Sequence, residues 1–268
     1  MSLIQRRCRR RVALGEPAPG FSLVELLIVI GLIALLIAIL MPMLQKARQQ
    51  ALLASCLANQ HQLGRATYTY ALDHKGWLPR DGMSGYKLGF FAPYLAVVCG
   101  YDPPESMERV NSDVVYAQDY LRPVQILKCP AVPDAPHVLH FVVNSMDFQY
   151  FFNRRSYAEL GGSRAWAFGP ITQVKSPEST GYIFEANMTT LAFDSLGSYN
   201  VWRPADLPFY TPPDARAPAP ILSGNRMISS IDKRHHGRTT VVFFDGHAEA
   251  RRLEPGEFPV TILNPYGP

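Results

Sequence analysis

The sequence has few cysteines and none of the short motifs that mark common enzymes. Its 268 residues hold four cysteines and no C-x-x-C pair, which leaves a zinc finger or a thioredoxin-like redox centre without support. It also contains no G-x-S-x-G, no phosphate-binding loop, no H-E-x-x-H and no G-x-G-x-x-G. We therefore expect a protein that is not an enzyme and that uses no cofactor.

Excess positive charge is also missing from most of the chain. The formal net charge is +4, and residues 1–20 account for all of it with five arginines and one glutamate. Residues 21–268 consequently have no net charge, and without clustered basic side chains phosphate binding has little electrostatic drive. We expect no nucleic-acid partner.

The most prominent feature of the sequence is one long apolar segment, from Phe21 to Met41. Only one charge, Glu25, and one hydroxyl, Ser22, interrupt it. At about 1.5 Å per residue it forms a helix of roughly 30 Å, which matches the hydrocarbon core of a bilayer. Because arginines precede the segment, we expect the N-terminus to stay in the cytoplasm.

Two ordinary explanations of this segment are less suitable. A secretory signal peptide has a shorter apolar region followed by its small-residue cleavage site, whereas here Gly20 precedes the apolar run. A plain signal anchor explains the arginines and the span but gives no reason for Glu25. An ionised carboxylate inside an apolar helix costs several kcal/mol unless it is paired, so Glu25 is a functional candidate. Cleavage after Gly20 would create a free amine about one helical turn from it.

The stretch G-F-S-L-V-E-L-L-I-V-I resembles the processing site of type IV prepilins and type II secretion pseudopilins. The resemblance implies cleavage between Gly20 and Phe21, N-methylation of Phe21, and pairing of Glu25 with the methylated amine of an adjoining subunit during assembly. Pro42 stands where many pilins have a helix-kinking proline, and a proline removes one backbone hydrogen bond. This leader departs from the usual pattern in carrying Glu16 and two prolines near the cut.

Beyond Pro42, apolar residues recur mostly at three- and four-residue steps, which predicts that the helix continues to about Tyr70. The stretch D-H-K-G at 73–76 then predicts a turn. The predicted parts are a basic leader (1–20), a transmembrane helix (21–41), its soluble continuation (42–72) and a β-rich globular domain (73–268).

The globular part is rich in aromatic residues and broken by prolines, with Pro 23 and Gly 19 in the chain. Its short apolar runs predict strands at Val97–Cys99, Gln125–Lys128, His140–Val143, Ala165–Phe168, Gly181–Glu185, Thr239–Phe244 and His247–Leu253. Asp245-Gly246 is a favoured two-residue hairpin turn between the last two. We expect an α+β fold: a long N-terminal helix packed on an antiparallel sheet, pilin-like and loop-rich.

Further motifs resemble one pilin-like subfamily that is abundant in planctomycete-type bacteria. They are the helix C-L-A-N-Q-H-Q-L-G-R-A, the turn Y-A-L-D-H-K-G-W-L-P, a mid-domain Cys-Pro, and H-x(9)-D-G at 235–246. Gln60 and His61 stand where the subfamily usually has Leu and Arg. The matched residues, to which we assign structural roles, are Cys56, Asn59, Gly64, Asp73, Pro79, Cys129, His235, Asp245 and Gly246.

The C-terminal motif also raises the question of a metal. His235, His236 and Asp245 are weak candidate ligands, because histidine and carboxylate together suit a divalent ion. The alternative is that Asp245 is a turn residue and that His235 bonds a backbone group or Asp245, and on this basis we expect no metal. The cysteines outside the leader are Cys56, Cys99 and Cys129. At most one intramolecular disulfide can form among them, and the sequence does not show which two would pair.

The resemblance implies a subunit or accessory of a type II secretion or type IV pilus-like filament. Its expected partners are a prepilin peptidase that also methylates, other pilin-like subunits, and the membrane. The expected location is the bacterial inner membrane, in a single pass with the C-terminal domain periplasmic or extracellular. The alternative is a processed, membrane-tethered module that never polymerises and whose aromatic loops bind a glycan or an exported protein.

Overall fold

The computed structural model describes residues 20–79, 91–132, 137–144, 170–187, 200–201, 234–254, 258 and 260–263. The chain divides into two compact units, one ending at Ala47 and the other beginning at Arg48. The candidate strand Ala165–Phe168 lies outside the described residues.

The first helix, α1 (Leu23–Asp73), has 51 residues and includes Pro42, with helical conformation continuing on both sides of the proline. It ends at Asp73, one residue beyond the predicted continuation (42–72). In the turn that follows, the amide of Gly76 bonds the carbonyl of Ala71 at 2.7 Å, and Gly76 has a φ of +85°. A left-handed residue that returns a hydrogen bond to the last helical turn is a common way to end a helix.

Within the first unit, every described side chain is exposed. The N-terminal part of α1 is long and apolar enough to cross a membrane. A continuous apolar surface of this kind is unfavourable in water, so lipid or other protein has to cover it.

The second unit is built on a five-stranded sheet with the order β3-β1-β2-β4-β5. Its strands are β1 (Phe141–Asn144), β2 (Gly181–Glu185), β3 (Asn200–Val201), β4 (Arg238–Phe243) and β5 (Ala248–Arg252). β1, β2, β4 and β5 pair antiparallel, whereas the two residues of β3 pair parallel to β1. The predicted α+β class, with a long N-terminal helix and an antiparallel sheet, is confirmed. The parallel edge strand β3 was not predicted.

Two predicted strands are wrong. Val97–Cys99 lies at the end of a helix, α2 (Phe91–Val98), and Gln125–Lys128 contains the 3-10 helix Gln125–Leu127. A short apolar run fits a buried helix as well as a strand, and α2 buries Phe91, Ala92, Pro93, Leu95 and Ala96. The helices α3 (Met107–Ser112) and α4 (Val114–Leu121) come next along the chain and are capped by Ser106 and Asp113.

The predicted hairpin between β4 and β5 is present, but its loop has three residues, 244–246. The amide of Phe243 bonds the carbonyl of His247 at 2.9 Å, and the amide of Gly246 bonds the carbonyl of Phe243 at 2.9 Å. Gly246 has a φ of +87°. This is the hairpin in which a turn is followed by one left-handed residue, and it requires glycine at the third loop position.

The helix α1 contacts this hairpin at Gly64. A Cβ atom at Gly64 would lie 2.7 Å from the carbonyl oxygen of Gly246 and 3.0 Å from Val242 Cγ1. One helical turn further on, the hydroxyl of Tyr68 donates to the carbonyl of Phe244. The absence of a side chain at Gly64 therefore lets the helix backbone approach the hairpin backbone directly.

We expect Gly64→Ala to lower the free energy of unfolding by up to about 2 kcal/mol. Alanine is the better helix former by about 1 kcal/mol, but overpacking against a backbone oxygen costs about 1–3 kcal/mol and outweighs that gain. Urea denaturation measures the difference. Gln62→Ala, at an exposed position of the same helix, is the control and should stay within about 0.5 kcal/mol of wild type. A G64A chain as stable as wild type would show that the hairpin can move away from α1 without lowering the free energy of unfolding.

Candidate functional site

At the start of α1, the side chains of Ser22 and Glu25 each accept a hydrogen bond from a backbone amide. The amide of Ser22 donates to Glu25 Oε2 at 3.0 Å, and the amide of Val24 donates to Ser22 Oγ at 3.2 Å. This is a capping box, in which two amides of the first helical turn gain side-chain acceptors. Gly20 and Phe21 precede it and are exposed. The S-x-x-E spacing is the sequence signal for such a cap, which was not predicted.

Several motif residues in the second unit have local structural contacts. Asn59 Nδ2 donates to the carbonyl of Lys128 at 3.4 Å, and the carbonyl of Pro79 accepts from the hydroxyl of Tyr182 at 2.5 Å. Asp73 is the last residue of α1. These contacts join α1 and the segment after it to the rest of the unit.

The C-terminal motif divides between two places. Asp245 lies in the hairpin loop, where its Oδ1 is 2.5 Å from Nδ1 of His247. The expected bond from His235 to a backbone group or to Asp245 is not what the structure shows, because His235 Nε2 bonds side chains of Cys129 and Glu185. His236 is exposed although its neighbour His235 is buried. The three weak metal candidates therefore do not form one site.

Four side chains from four parts of the chain meet in the interior instead. Cys56 belongs to α1, Cys129 follows the 3-10 helix 125–127, Glu185 ends β2, and His235 lies in a 3-10 turn before β4. All four residues are at most 2% exposed. One sulfur, oxygen or nitrogen atom from each lies within 4.8 Å of the others. We call these four residues the buried cluster.

Glu185 is the centre of the buried cluster. Its Oε1 lies 3.2 Å from Cys56 Sγ and 3.0 Å from His235 Nε2, and that nitrogen lies 3.1 Å from Cys129 Sγ. The other carboxylate oxygen, Oε2, accepts from Thr239 Oγ1 at 3.1 Å and from the amide of Thr240 at 3.0 Å. The threonine contacts fix the orientation of the carboxylate and leave Oε1 facing the thiols and the imidazole.

The contacts within the buried cluster set its ionisation. Burial raises the pKa of Glu185, but the bond from His235 and the charge of Arg234 more than offset this and hold that pKa well below its usual range. Burial lowers the pKa of His235, yet its contacts with Cys129 and Glu185 raise it to about 10. The hydrogen bond with Cys56 lowers the pKa of Cys129 to about 7, against burial, while the pKa of Cys56 is raised by that bond and by burial. The buried cluster therefore favours an ionised carboxylate beside an imidazolium.

The backbone is unusual where it delivers His235 to the buried cluster. His235 and His236 have φ values of +50° and +53°, and Gly237 follows at +74°. The left-handed conformation costs a residue other than glycine roughly 1–2 kcal/mol. Such conformations persist only where the surrounding structure imposes them, and they concentrate at functional sites. No pattern in the sequence predicted this left-handed conformation.

A second histidine positions Cys129 through its backbone. The amide of Cys129 donates to Nδ1 of His140 at 2.9 Å. Burial, and then the charge of Arg234, lower the pKa of His140 to about 4, which keeps its ring neutral and able to accept. Cys99 takes no part in the buried cluster; it is half-buried, and burial raises its pKa to about 11.

Three members of the buried cluster are motif residues of the sequence, whereas Glu185 was predicted only as the end of a strand. The available signal was a charged residue ending an otherwise apolar strand, G-Y-I-F-E, all five residues of which are buried. Comparisons of this chain with protein-family models, with curated proteins and with solved structures found no match.

Proposed function

We propose that this chain is a pilin-like subunit of a type II secretion or type IV pilus-like filament, processed by a prepilin peptidase. Support comes from the arginine-rich residues 1–20, the small residue Gly20 before an apolar segment, and the helix that continues from that segment to an antiparallel sheet. The expected topology is a single pass with the second unit outside the cytoplasm.

The proposal depends above all on the presence of Glu25 in the apolar segment. It is the only charged residue between Phe21 and Met41, and it lies in the first turn of α1. In lipid, a lone carboxylate is costly unless a cation neutralises it. Cleavage after Gly20 supplies a cation, the methylated amine of Phe21, which in a filament lies beside the Glu25 of an adjoining subunit.

Assembly also gives the exposed surface of the first unit a partner. Its apolar side chains lie around the whole helix, so in a bilayer they contact lipid and in a filament they contact the same segment of other subunits. Transfer from lipid to protein exchanges one apolar environment for another, and helix association in lipid relies on close packing and polar contacts. The pairing of Glu25 with an amine supplies a polar contact and removes an isolated charge.

The rival is the membrane-tethered module that never polymerises. The capping box matters here, because it gives Glu25 a partner within its own helix. A role in capping alone would account for this residue in a simple anchor. The two functions therefore differ in whether the charge of Glu25, rather than its hydrogen bond, is needed.

Mass spectrometry of the mature N-terminus tests the processing step. We expect chains extracted from membranes to lack residues 1–20 and to begin with Phe21 carrying one added methyl group. Gly20→Leu should leave the leader attached, because a large residue replaces the small one at the cut. Gly31→Ala is the matched control, since a Cβ atom added at that helical glycine would have no neighbour within 4 Å, and it should be processed normally. A wild-type chain that retains Met1 would refute the proposal.

A further inference from the structure

The buried cluster has the composition and the enclosure of a structural metal site. Two sulfurs, one imidazole nitrogen and one carboxylate oxygen are ligand types found in zinc sites, and all four lie within 4.8 Å of one another. The four residues are at most 2% exposed, so no position is open to solvent or substrate. A closed, four-ligand arrangement is typical of structural zinc, whereas catalytic zinc keeps one position open.

The observed distances leave room for the ion after small movements. Tetrahedral zinc with bonds of about 2.0–2.3 Å holds its ligand atoms roughly 3.3–3.8 Å apart. The distances from Glu185 Oε1 to Cys56 Sγ and His235 Nε2, and from that nitrogen to Cys129 Sγ, are 3.0–3.2 Å. The other pairs of ligand atoms lie within 4.8 Å of one another, so shifts of about 1 Å or less at the side chains bring the four atoms to this spacing.

Groups around the buried cluster orient two of its ligands, Glu185 and Cys129. The contacts of Thr239 and Thr240 occupy Glu185 Oε2 and present Oε1, and the bond to His140 fixes the backbone of Cys129. Hydrogen bonds of this kind to the ligands are a regular part of metal sites. The left-handed backbone at His235 is consistent with a metal site, because it presents Nε2 of this histidine to two thiols and a carboxylate.

Charge balance favours an ion of +2. Two thiolates and one carboxylate would carry three negative charges in the interior, where an uncompensated charge is costly, and a divalent cation neutralises two of them. Sulfur ligands disfavour calcium and magnesium, which take oxygen, and favour zinc.

From this geometry we propose that Cys56, Cys129, Glu185 and His235 bind one zinc ion, which ties together four segments of the second unit. Binding releases to solvent the thiol protons of the two cysteines and the Nε2 proton of His235, which leaves a neutral imidazole with Nε2 on the metal and its proton on Nδ1. The rival for the same residues is a disulfide between Cys56 and Cys129, which uses neither the carboxylate nor the imidazole. The proposal does not depend on the filament function.

Metal analysis of the full chain tests the site. The chain is extracted in detergent, purified without a polyhistidine tag, and its zinc is measured by mass spectrometry. We expect about one zinc per chain, and removal by a chelator should lower the thermal midpoint by about 10 °C or more. Cobalt added to the reduced, metal-free chain should give the thiolate-to-metal absorption of tetrahedral cobalt, saturating at one equivalent.

Paired variants locate the zinc. Cys129→Ser and His235→Gln should reduce bound zinc at least about tenfold, since each removes one of the ligands of a closed site. The matched controls Cys99→Ser and His236→Gln change the same residue types outside the buried cluster and should retain it. If the ligand variants do not fold, the cobalt spectrum of the wild-type chain decides the question.

Three results would overturn the proposal. One is a wild-type chain that, reduced and supplied with zinc, holds less than about a tenth of an equivalent and gives no cobalt band. Another is a Cys56–Cys129 disulfide found by peptide mapping in chains taken directly from membranes. The third is equal loss of zinc in the variants and their controls, which would place the metal elsewhere.

Discussion

Glu25→Gln is expected to abolish incorporation of the chain into filaments while residues 1–20 are still removed. Glutamine has the shape of glutamate and serves equally in a capping box, so the bond to the Ser22 amide is retained. What the variant loses is the negative charge that, in the proposed filament, would pair with the Phe21 amine of an adjoining subunit. Sheared or pelleted filaments, probed for this chain and compared with the membrane fraction, measure the effect.

The controls separate charge from helix capping. Ser22→Ala removes the hydroxyl that accepts from the Val24 amide but leaves Glu25 charged, and it should assemble nearly as wild type. Capping bonds of this kind contribute about 1 kcal/mol, too little to unfold a helix embedded in lipid. The filament proposal would be falsified if E25Q assembled normally; failure of S22A alone would show that assembly needs the helix cap rather than the charge of Glu25.

Glu185→Ala is expected to destabilise the second unit by about 3–5 kcal/mol, the range found when one partner of a buried charged pair is removed. The substitution leaves the thiol of Cys56, the imidazole of His235, and the hydroxyl of Thr239 and the amide of Thr240 without their acceptor in the interior. In a unit of this size such a loss lowers the thermal midpoint by roughly 6–20 °C. Thermal denaturation followed by near-ultraviolet circular dichroism measures it.

Two further variants interpret that result. Glu185→Gln keeps an oxygen for Thr240 but loses the charge, so its loss of stability should be intermediate. Glu178→Ala removes an exposed carboxylate seven residues earlier and should change the free energy of unfolding by less than about 0.5 kcal/mol. A Glu185→Ala chain as stable as Glu178→Ala would mean that the buried cluster contributes nothing to folding.

The parts of the fold that could be predicted are those with a strong local pattern. For α1, the apolar composition and the spacing of apolar residues at three- and four-residue steps are enough to predict the helix. For β2, the short apolar run within G-Y-I-F-E is enough to predict the strand. The Asp245-Gly246 pair predicts the hairpin but not its loop length, because the same glycine serves loops of two and three residues. Short elements such as α2 and β3 owe their conformation to tertiary packing, and a run of eight or two residues carries too little pattern to decide it.

The buried cluster could be predicted only in part. Cys56, Cys129 and His235 were singled out through motif resemblance, but nothing in their spacing shows that they meet, since Cys129 and His235 are 106 residues apart in sequence. The carboxylate of Glu185 reaches Cys56 across 129 residues. Which side chains become neighbours at such separations is decided by the packing of α1 against the sheet. The sequence consequently marked three of the residues without marking the site.

These separations also fix an order of events during synthesis. Cys56 leaves the ribosome long before His235. The size of the delay follows from the 184 residues that separate Cys56 from Thr240, five residues after His235. Contacts this remote in sequence form late and slow the folding of a chain. Until the segment that holds His235 is translated, the buried cluster lacks one of its four members, so the thiols of Cys56 and Cys129 are not yet enclosed as they are in the folded chain.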